Sequence, residues 1–218
     1  MSNNGQSNTI ITQDLVDAKT LFKLSYGLFV LTTKEGDKDN GCIINTTVQI
    51  AEKPRRISIA VNKSNFSCDM VKRTGEFNIS VLSEKTPFSV FQQFGFQSGR
   101  DVDKFSGCGY DNRAANGIRY IPGFSNGVIS GKVAETYDQG SHMLYLADIT
   151  EAFVLSEDPS VTYKYYFDHI KPQPQPQPPK EKEGYMCRIC GYVYEGATIP
   201  DDFICPLCKH GVIDFYKL

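Results

Sequence analysis

The hydrophobic and polar positions of the first 170 residues change rhythm several times, and each change predicts an element. In residues 13–24, apolar side chains recur at helical spacing and predict an amphipathic helix. Apolar runs and alternating patterns then predict strands at Leu28–Thr33, Cys42–Ile50, Arg56–Val61, Phe77–Leu82, Gly127–Thr136 and Met143–Leu155. Short helices are predicted from Ser64, a capping residue, to about Arg73, and at Pro87–Phe94.

The order of these elements indicates the class of fold. Turns are predicted at GDKDNG, residues 36–41, at Pro54 and at Gly75. Strands and helices do not alternate regularly, and no G-x-G-x-x-G segment occurs. A doubly wound dinucleotide-binding domain is therefore not expected. Mostly antiparallel strands with a few helices favour a mainly β domain, a barrel.

A low-complexity segment divides the chain. Residues 171–184, KPQPQPQPPKEKEG, alternate Pro with Gln and lack apolar side chains, which predicts polyproline II. Fourteen residues at ~3.1 Å each reach about 40 Å. We therefore predict a large domain at residues 1–170, a linker at 171–184 and a small domain at 185–218. The linker is either a passive spacer or an arm that raises the effective concentration of the small domain.

Composition narrows the choice of partner and compartment. A net charge of −2 over 218 residues does not favour nucleic acid or an anionic membrane as a partner. No apolar run approaches the length of a membrane span, and the polar start MSNNGQSNT does not resemble a signal peptide. Seven cysteines fit a reducing cytoplasm better than a disulfide framework. Cys42, Cys68 and Cys108 have no partner at metal-like spacing and are expected to be small buried or half-buried residues.

The other four cysteines carry the most specific chemical signal. Cys187 and Cys190 form one C-x-x-C pair, and Cys205 and Cys208 form a second one after fourteen intervening residues. Two such turns can deliver four thiolates to one tetrahedral metal. The segment is too short to fold on an apolar core alone, so the metal would stabilise it. The spacing alone fits either a structural zinc or an iron that carries one electron.

The residues around these cysteines resemble rubredoxin. In that family, aromatic side chains form a small core around the iron, and here the matching residues are Tyr185, Tyr192, Tyr194, Phe203 and Phe215. The resemblance implies one iron per chain, held by the four cysteines, with zinc entering by misloading. The loop between the cysteine pairs is shorter than in ordinary rubredoxins and looks like that of the abbreviated modules fused to larger redox proteins.

The large domain resembles the flavin reductase and flavoredoxin family. The resemblance rests on KLSYGLFVLTT, CIINTTVQIAEKPRRISIAVNKSNFS, GEFNISVLSE and FGFQSGRDVDKF, which occur in that order. It implies an FMN-binding split β-barrel with a few helices, usually assembled as a homodimer. With its rubredoxin-type metal knuckle domain, the whole chain is similar to the high-molecular-weight rubredoxins of anaerobes.

The family resemblance also implies which residues contact the flavin. The ring contacts fall on Asn45, Thr46, Thr47, Val48 and Gln49. The phosphate contacts fall on Asn62, Lys63, Ser64 and Ser67. Without the resemblance, these side chains would be interpreted as strand and helix caps and a solvated lysine.

Two further elements are implied near the flavin. A loop that covers it, in relatives often from the partner subunit, corresponds to Ser98, Gly99, Arg100, Lys104 and Phe105. His142 matches a histidine that flavin reductases place near the flavin and nicotinamide, although a lone histidine is more often structural. The aromatic run Tyr163–Phe167 is interpreted as core or dimer packing, with a lip on the flavin pocket as the alternative.

The resemblance implies an electron carrier in which FMN exchanges electrons with iron. The partners it implies are an NAD(P)H:rubredoxin reductase as donor and a flavodiiron protein that reduces dioxygen or nitric oxide as acceptor. Two alternatives stay open at this point. One is an NAD(P)H:flavin oxidoreductase that receives hydride directly, and the other is a non-redox barrel with a structural zinc ribbon.

Overall fold

A computed structural model describes residues 17–21, 23–173 and 184–218. The strands of the large domain are β1 (Phe29–Glu35), β2 (Lys38–Ile44), β3 (Thr47–Glu52), β4 (Arg55–Asn62), β5 (Glu76–Leu82), β6 (Ser125–Asp138) and β7 (His142–Val154). Its helices are α1 (Ala18–Leu21), α2 (Phe66–Thr74), α3 (Phe88–Gly95) and α4 (Tyr163–Tyr165), which continues as a π-helical turn, Tyr166–Ile170. The small domain contains β8 (Gly184–Cys187), β9 (Val193–Glu195) and β10 (Phe215–Lys217), with a 3-10 turn at Val212–Asp214.

The large domain is a split β-barrel. Its antiparallel sheet has the order β2-β1-β5-β6-β7-β4-β3. The two edge strands, β2 and β3, follow each other in the chain and are joined only by Asn45 and Thr46. The sheet must therefore curve until its edges approach each other, although they do not pair. The predicted mainly β fold with a few helices is confirmed.

Two apolar clusters hold the domain together. The first lies inside the barrel, where alternate residues of β4 (Ile57, Ile59 and Val61) pack with Phe77 and Tyr145. The second fixes α3 and the π-helical turn to the outside of the sheet, through side chains that include Leu82, Phe91, Phe94 and Tyr166. Each fully buried side chain of this size contributes about 1.5–3 kcal/mol. The aromatic run before the predicted linker is therefore fastened to the barrel.

The structure corrects the prediction for residues 36–50. The tight turn comprises only Gly36 and Asp37, because Lys38 already pairs with Glu35 across the hairpin. Asp39, which favoured a longer turn, lies in β2, where Arg113 and Arg119 bind its carboxylate at 2.7 and 2.8 Å. The predicted strand Cys42–Ile50 is two strands, because the chain passes from one sheet edge to the other between Ile44 and Thr47.

The predicted helices are present with shifted boundaries. Helix α2 begins after Asn65 rather than directly after Ser64, since the Asn62 side chain accepts a hydrogen bond from the Ser64 N–H and forms a turn. Gly75 ends the helix in the left-handed conformation (φ 70°), as predicted. In the predicted helix at 13–24, the structure assigns Ala18–Leu21 as helical, and residues 13–16 and 22 lie outside the described residues.

The small domain is a three-stranded sheet of order β10-β8-β9. Gly184, predicted as the end of the linker, is the first residue of β8 and accepts a hydrogen bond from the Leu218 N–H. At the other end, Gln173 donates to the carbonyl of Phe167 on the barrel. Residues 174–183, on which the polyproline prediction mainly rests, lie outside the described residues.

Replacing Gly184 with alanine is expected to destabilise the small domain by about 1–3 kcal/mol. A Cβ atom at this position would lie 2.7 Å from the carbonyl oxygen of Tyr194, so β8 and β9 would have to separate. Gly211→Ala is the matched control, because a Cβ atom there meets no atom within 4 Å. Thermal unfolding of the metal-loaded variants, followed by loss of metal absorbance, measures the difference. Equal melting temperatures for the two variants would contradict the expected clash.

Candidate metal centre and flavin cleft

The four predicted cysteine ligands come together in the small domain. The Sγ atoms of Cys187, Cys190, Cys205 and Cys208 all lie within 4.8 Å of one another. The pairs Cys187–Cys208 and Cys190–Cys205 are each separated by 3.5 Å. Four thiolates at 2.3 Å from one ion would be separated by about 3.8 Å in a tetrahedron. The donor set and its geometry therefore fit a single tetrahedral metal ion.

The two cysteine pairs form turns with the same backbone hydrogen bonds. In the first turn, the Cys187 N–H donates to the carbonyl of Tyr192 at 2.8 Å. In the second, the Cys205 N–H donates to the carbonyl of His210 at the same distance. The residue after each pair is left-handed, with φ 77° at Gly191 and φ 62° at Lys209. Lys209 adopts a backbone conformation that normally favours glycine, so the geometry of the turn overrides the backbone preference of this residue.

Backbone N–H groups point at the sulfur atoms inside these turns. The Tyr192 N–H donates to Cys190, and the His210 N–H donates to Cys208. Such N–H···S bonds stabilise negative charge on sulfur and tune a metal bound there. The chain therefore supports the charge of a four-thiolate site through its backbone.

Without a metal, the pKa values of three of the four thiols are displaced from their usual value. The hydrogen bond from Cys208 lowers the pKa of Cys190 to about 5. Burial raises the pKa of Cys187 to about 11, and the hydrogen bond to Cys190 raises the pKa of Cys208. The Cys190 thiolate forms readily, whereas a bound cation must displace the protons of Cys187 and Cys208. Metal affinity is therefore expected to fall as the pH falls.

The core of the small domain consists mainly of aromatic rings. Phe203 lies at its centre, with ring centroids 4.8 Å from Tyr194, 5.5 Å from Phe215 and 6.3 Å from Tyr192. The buried members of this cluster are Cys187, Ile199, Cys205 and Phe215. Because two of these four are metal ligands, the apolar core alone is small, which agrees with the prediction that the metal stabilises this domain.

A cleft on the barrel extends to the small domain. Its aromatic wall comprises Phe91, Phe96, Tyr163, Tyr166 and Phe167. Its polar lining comprises Asn45, Asn62, Ser64, Asn65 and His142. The small domain contributes Ile189, Cys208 and His210. A predicted metal ligand therefore lines the same cleft as four of the predicted flavin residues.

His142 stands at the start of β7, opposite Asn62 of β4 in the sheet. Its Nδ1 lies 2.8 Å from the hydroxyl oxygen of Ser141. Burial, and secondarily the nearby His210, lower the pKa of His142 below its usual value. The imidazole is therefore neutral at neutral pH and offers one donor and one acceptor to the cleft and its surroundings.

The strand predicted to contact the flavin ring turns only partly toward the cleft. Asn45 lines it, whereas the Thr46 hydroxyl donates to the carbonyl of Ala60 at 2.7 Å. The Thr47 hydroxyl is buried and has no hydrogen-bond partner among the described residues. Val48 and Gln49 are exposed on the edge strand β3. The split between β2 and β3 therefore brings Asn45 to the cleft and directs the later residues elsewhere.

The residues predicted to contact the phosphate also separate. Asn62 and Ser64 line the cleft, but the Lys63 ammonium pairs with Asp138 at 2.5 Å. Ser67 is buried inside the barrel domain, where its hydroxyl accepts a hydrogen bond from the Asn40 amide. Within one chain, Ser67 is therefore not brought to the cleft, because it lies on the side of α2 that faces the core.

The loop predicted to cover the flavin lies beside a different depression. Gly99, Arg100 and Phe105 line that depression, and the Ser98 hydroxyl accepts from the Arg100 N–H. Lys104 is buried, donates to the carbonyls of Gly41 and Phe94 at 2.9 and 3.0 Å, and has its pKa lowered by burial.

One residue of this loop does approach the cleft. The Arg100 guanidinium donates to the carbonyl of Ser64 at 2.9 Å and pairs with Asp69 at 2.6 Å. Within one chain, the structure does not place Lys104 or Phe105 against the cleft. The expectation that this loop covers a flavin stays a prediction.

Sequence reasoning missed Phe91 and Phe96 in the aromatic wall and the contribution of the small domain. The other wall residues belong to the run Tyr163–Phe167, for which the structure confirms core packing, while a lip on a flavin pocket stays a prediction. Tyr166 is buried against α3, and Tyr163 and Phe167 line the cleft. His210 gave no signal, because its position depends on how the small domain packs against the barrel.

Comparison with known families agrees with these two sites. Residues 21–173 match the flavin reductase like domain, and residues 185–215 match the rubrerythrin, rubredoxin-like domain. The chain is 33% identical to the high molecular weight rubredoxin of Moorella thermoacetica over 230 residues, covering 93% of this chain and all of the relative. The chain belongs to the high-molecular-weight rubredoxin family.

Other relatives share the large domain. The ferric-chelate reductase (NAD(P)H) of Archaeoglobus fulgidus is 32% identical over 151 residues, covering 69% of this chain and 89% of that one. Among solved structures, the NADH:FAD oxidoreductase SgcE6 of Streptomyces globisporus aligns with a TM-score of 0.58 at 19% identity, covering 68% and 91% of the two chains. The FMN-binding protein of Thermus thermophilus aligns at 0.54 and 15%, covering 60% and 71%. These two likenesses establish the fold alone.

A flavin reductase-like domain joined to a four-cysteine rubredoxin-like domain supports flavin- and iron-dependent electron transfer. The predicted fold and the predicted redox class are confirmed. None of the helices in the described ranges has the length and apolar character needed to cross a bilayer.

Proposed function

We propose that the chain relays electrons between FMN bound in the cleft and one iron held by Cys187, Cys190, Cys205 and Cys208. FMN exchanges two electrons with one partner and single electrons with another, and iron in a four-thiolate site carries one electron. The observation that supports the proposal best is the place of Cys208, a metal ligand that lines the same cleft as Asn62, Ser64 and His142. A ligand there leaves no protein layer between the two sites.

The cleft has the chemistry that a flavin requires. Its five aromatic side chains form an apolar wall suited to a planar ring system. The amides of Asn45 and Asn62 and the imidazole of His142 are placed to hydrogen-bond polar edges of the ring. Ser64 and Asn65 stand at the start of α2, where backbone N–H groups favour an anion such as the phosphate.

The remaining expectations about assembly and partners belong to the same proposal. Exposed apolar side chains on the edge strand, Val48 (59% exposed) and Ile50 (45% exposed), support a homodimer that covers them. A dimer would also allow the loop at residues 98–105 to reach the flavin of the partner subunit. We propose an NAD(P)H:rubredoxin reductase as donor and a flavodiiron protein as acceptor, on the family resemblance.

The composition of the purified protein tests the proposal. Protein isolated without oxygen from its native cell is expected to contain one flavin and one iron per chain, and to show the absorbance of both. Zinc in place of iron would contradict the metal assignment, and FAD or the absence of flavin would contradict the FMN assignment. Protein from a foreign host is a weaker test, because four thiolates also accept zinc.

The phosphate site is expected to respond to two changes at the start of α2. Lys63→Ala combined with Ser64→Ala should weaken FMN binding about 10–100-fold, since the Ser64 hydroxyl in the cleft is lost together with the cation that a phosphate at the helix start would draw from Asp138. Lys72→Ala, at the other end of the same helix, is the control. Fluorescence titration of flavin-depleted protein measures both dissociation constants. Unchanged affinity in the double variant would place the phosphate elsewhere.

The alternative is an oxidoreductase that takes hydride from NAD(P)H directly onto the flavin. It is favoured by the likeness to the ferric-chelate reductase (NAD(P)H) and by the neutral imidazole of His142 in the cleft. Adding NADH or NADPH to the oxygen-free protein distinguishes the two functions. Rapid bleaching of the flavin without a partner reductase would establish the alternative, and a stable flavin spectrum would support the carrier.

A further inference from the structure

Lys171, the first residue of the predicted linker, connects the barrel to a metal-binding turn. Its ammonium donates to the carbonyl oxygens of Arg188 and Ile189 at 3.1 and 2.8 Å. These are the two residues between Cys187 and Cys190. The backbone N–H of Lys171 donates to the carbonyl of Tyr166 in the π-helical turn of the barrel at 2.8 Å. One residue is thus hydrogen-bonded to both domains.

The charge of Lys171 lies against the Cys187–Cys190 turn and acts on three of the four cysteines. Its ammonium lies 4.8 Å from the ring centroid of Phe167, and the side chain is partly buried. Burial lowers the pKa of Lys171, while Cys190, Cys187 and Cys208 act in the opposite direction. Among the described residues, no carboxylate forms an ion pair with this ammonium. Its positive charge is therefore available to the sulfur cluster.

We propose that Lys171 is a positioning residue that holds the Cys187–Cys190 turn at the cleft and raises the reduction potential of iron bound there. The inference rests on the proposed iron site. Reduction of iron(III) to iron(II) takes up one electron and makes the four-thiolate site more negative by one charge. A nearby positive charge stabilises the reduced form more than the oxidised form, and partial burial limits screening by water.

The two hydrogen bonds also attach the Cys187–Cys190 turn to the end of the barrel domain. Ile189, whose carbonyl accepts the shorter bond, lines the cleft together with Cys208. Removing the ammonium leaves two carbonyl groups of this turn without their barrel partner. The turn then depends on weaker contacts to remain against the barrel.

The test is a redox titration of the iron in Lys171→Met, which keeps an apolar stem but removes the charge and the donor. With mediator dyes and no external partner, the ratio of iron(III) to iron(II) at a fixed potential should rise about tenfold, which is a decrease of 59 mV in the midpoint for one electron. Lys171→Arg should keep the ratio within threefold of wild type. Lys164→Met is the control, since Lys164 is exposed and pairs with Asp168.

A second measurement reports on position without using redox activity. In zinc-loaded full-length protein, amide hydrogen exchange at Arg188–Cys190 should be at least fivefold faster in Lys171→Met than in Lys164→Met. A change of the iron ratio below threefold in Lys171→Met would overturn the electrostatic role, and unchanged exchange would overturn the positioning role. Neither measurement needs bound flavin. If the change in the iron ratio and the faster exchange are both observed but flavin and iron do not exchange electrons, the proposed function is wrong and the role of Lys171 stands.

Discussion

Replacing Cys205 with serine is expected to remove the metal and unfold residues 184–218, while the barrel stays folded. Cys205 is fully buried at the centre of the small domain, and its N–H and Sγ both take part in the metal-binding turns. Serine does not supply a thiolate, and apparent binding free energies of about 10–16 kcal/mol at comparable structural sites show how much folding depends on the ion. The barrel has its own clusters of buried side chains and does not depend on these ligands.

Metal analysis and amide hydrogen exchange on the same sample measure the two halves of this expectation. Exchange should become complete within seconds to minutes in the small domain and stay slow in β4–β7. Cys108→Ser is the matched control, because the Cys108 thiol donates to the carbonyl of Phe105 within the barrel domain and lies outside the metal-binding turns. A Cys205→Ser protein that keeps one metal per chain and a protected small domain would show that the ligands are wrongly assigned.

Separating the two domains is expected to slow electron transfer from reduced flavin to iron by about 100-fold at micromolar protein. A short tether gives the small domain an effective concentration near the millimolar range, whereas the separated domains must meet by diffusion. Replacing residues 174–183 with a Gly/Ser segment of equal length should largely preserve the rate, since the Pro/Gln sequence of that segment predicts reach rather than sequence-specific contacts. Stopped-flow absorbance of the iron compares the three proteins. Equal rates for tethered and separated domains would mean that the two centres serve different external partners.

Sequence patterns correctly predicted the elements whose position depends on which of their own residues are buried. The alternation Ile57, Ile59, Val61 gave β4 correctly, because one face of that strand packs inside the barrel. The cysteine spacing likewise gave the complete metal-ligand set, since two short turns determine where all four thiols point. In both cases, a short spacing between residues determines which side chains face the same way.

Contacts between distant residues explain the errors. Asp39 is of a residue type that is common in turns, but in the structure it lies in a strand. There, Arg113 and Arg119, more than seventy positions away in the chain, bind its carboxylate. Lys104 looks like a solvated charge, but the carbonyls of Gly41 and Phe94 bind its ammonium in the interior. A sequence pattern contains no information about such partners. Loops rich in charge are therefore where the sequence-based prediction differs most from the structure.

The candidate flavin cleft was predictable only in part for a related reason. Asn45, Asn62, Ser64 and His142 were identified through the family resemblance, and the structure places all four on one cleft. Three of the five aromatic side chains in the wall belong to the run Tyr163–Phe167, which the sequence analysis interpreted mainly as core or dimer packing. The small domain forms one edge of the cleft, and Lys171 hydrogen-bonds that domain to the end of the barrel. The sequence analysis assigned Lys171 to the proline-rich linker, so this interdomain contact was not predicted.

The central claim is that the flavin and the iron of one molecule exchange electrons across the shared cleft. The most direct test follows the iron absorbance after rapid reduction of the flavin in the intact, oxygen-free protein, over a hundredfold range of protein concentration. We expect a single rate constant that does not change with concentration, because the two centres are held together before the reaction begins. A rate that rises in proportion to protein concentration would contradict it, since the electron would then pass only between molecules that collide in solution.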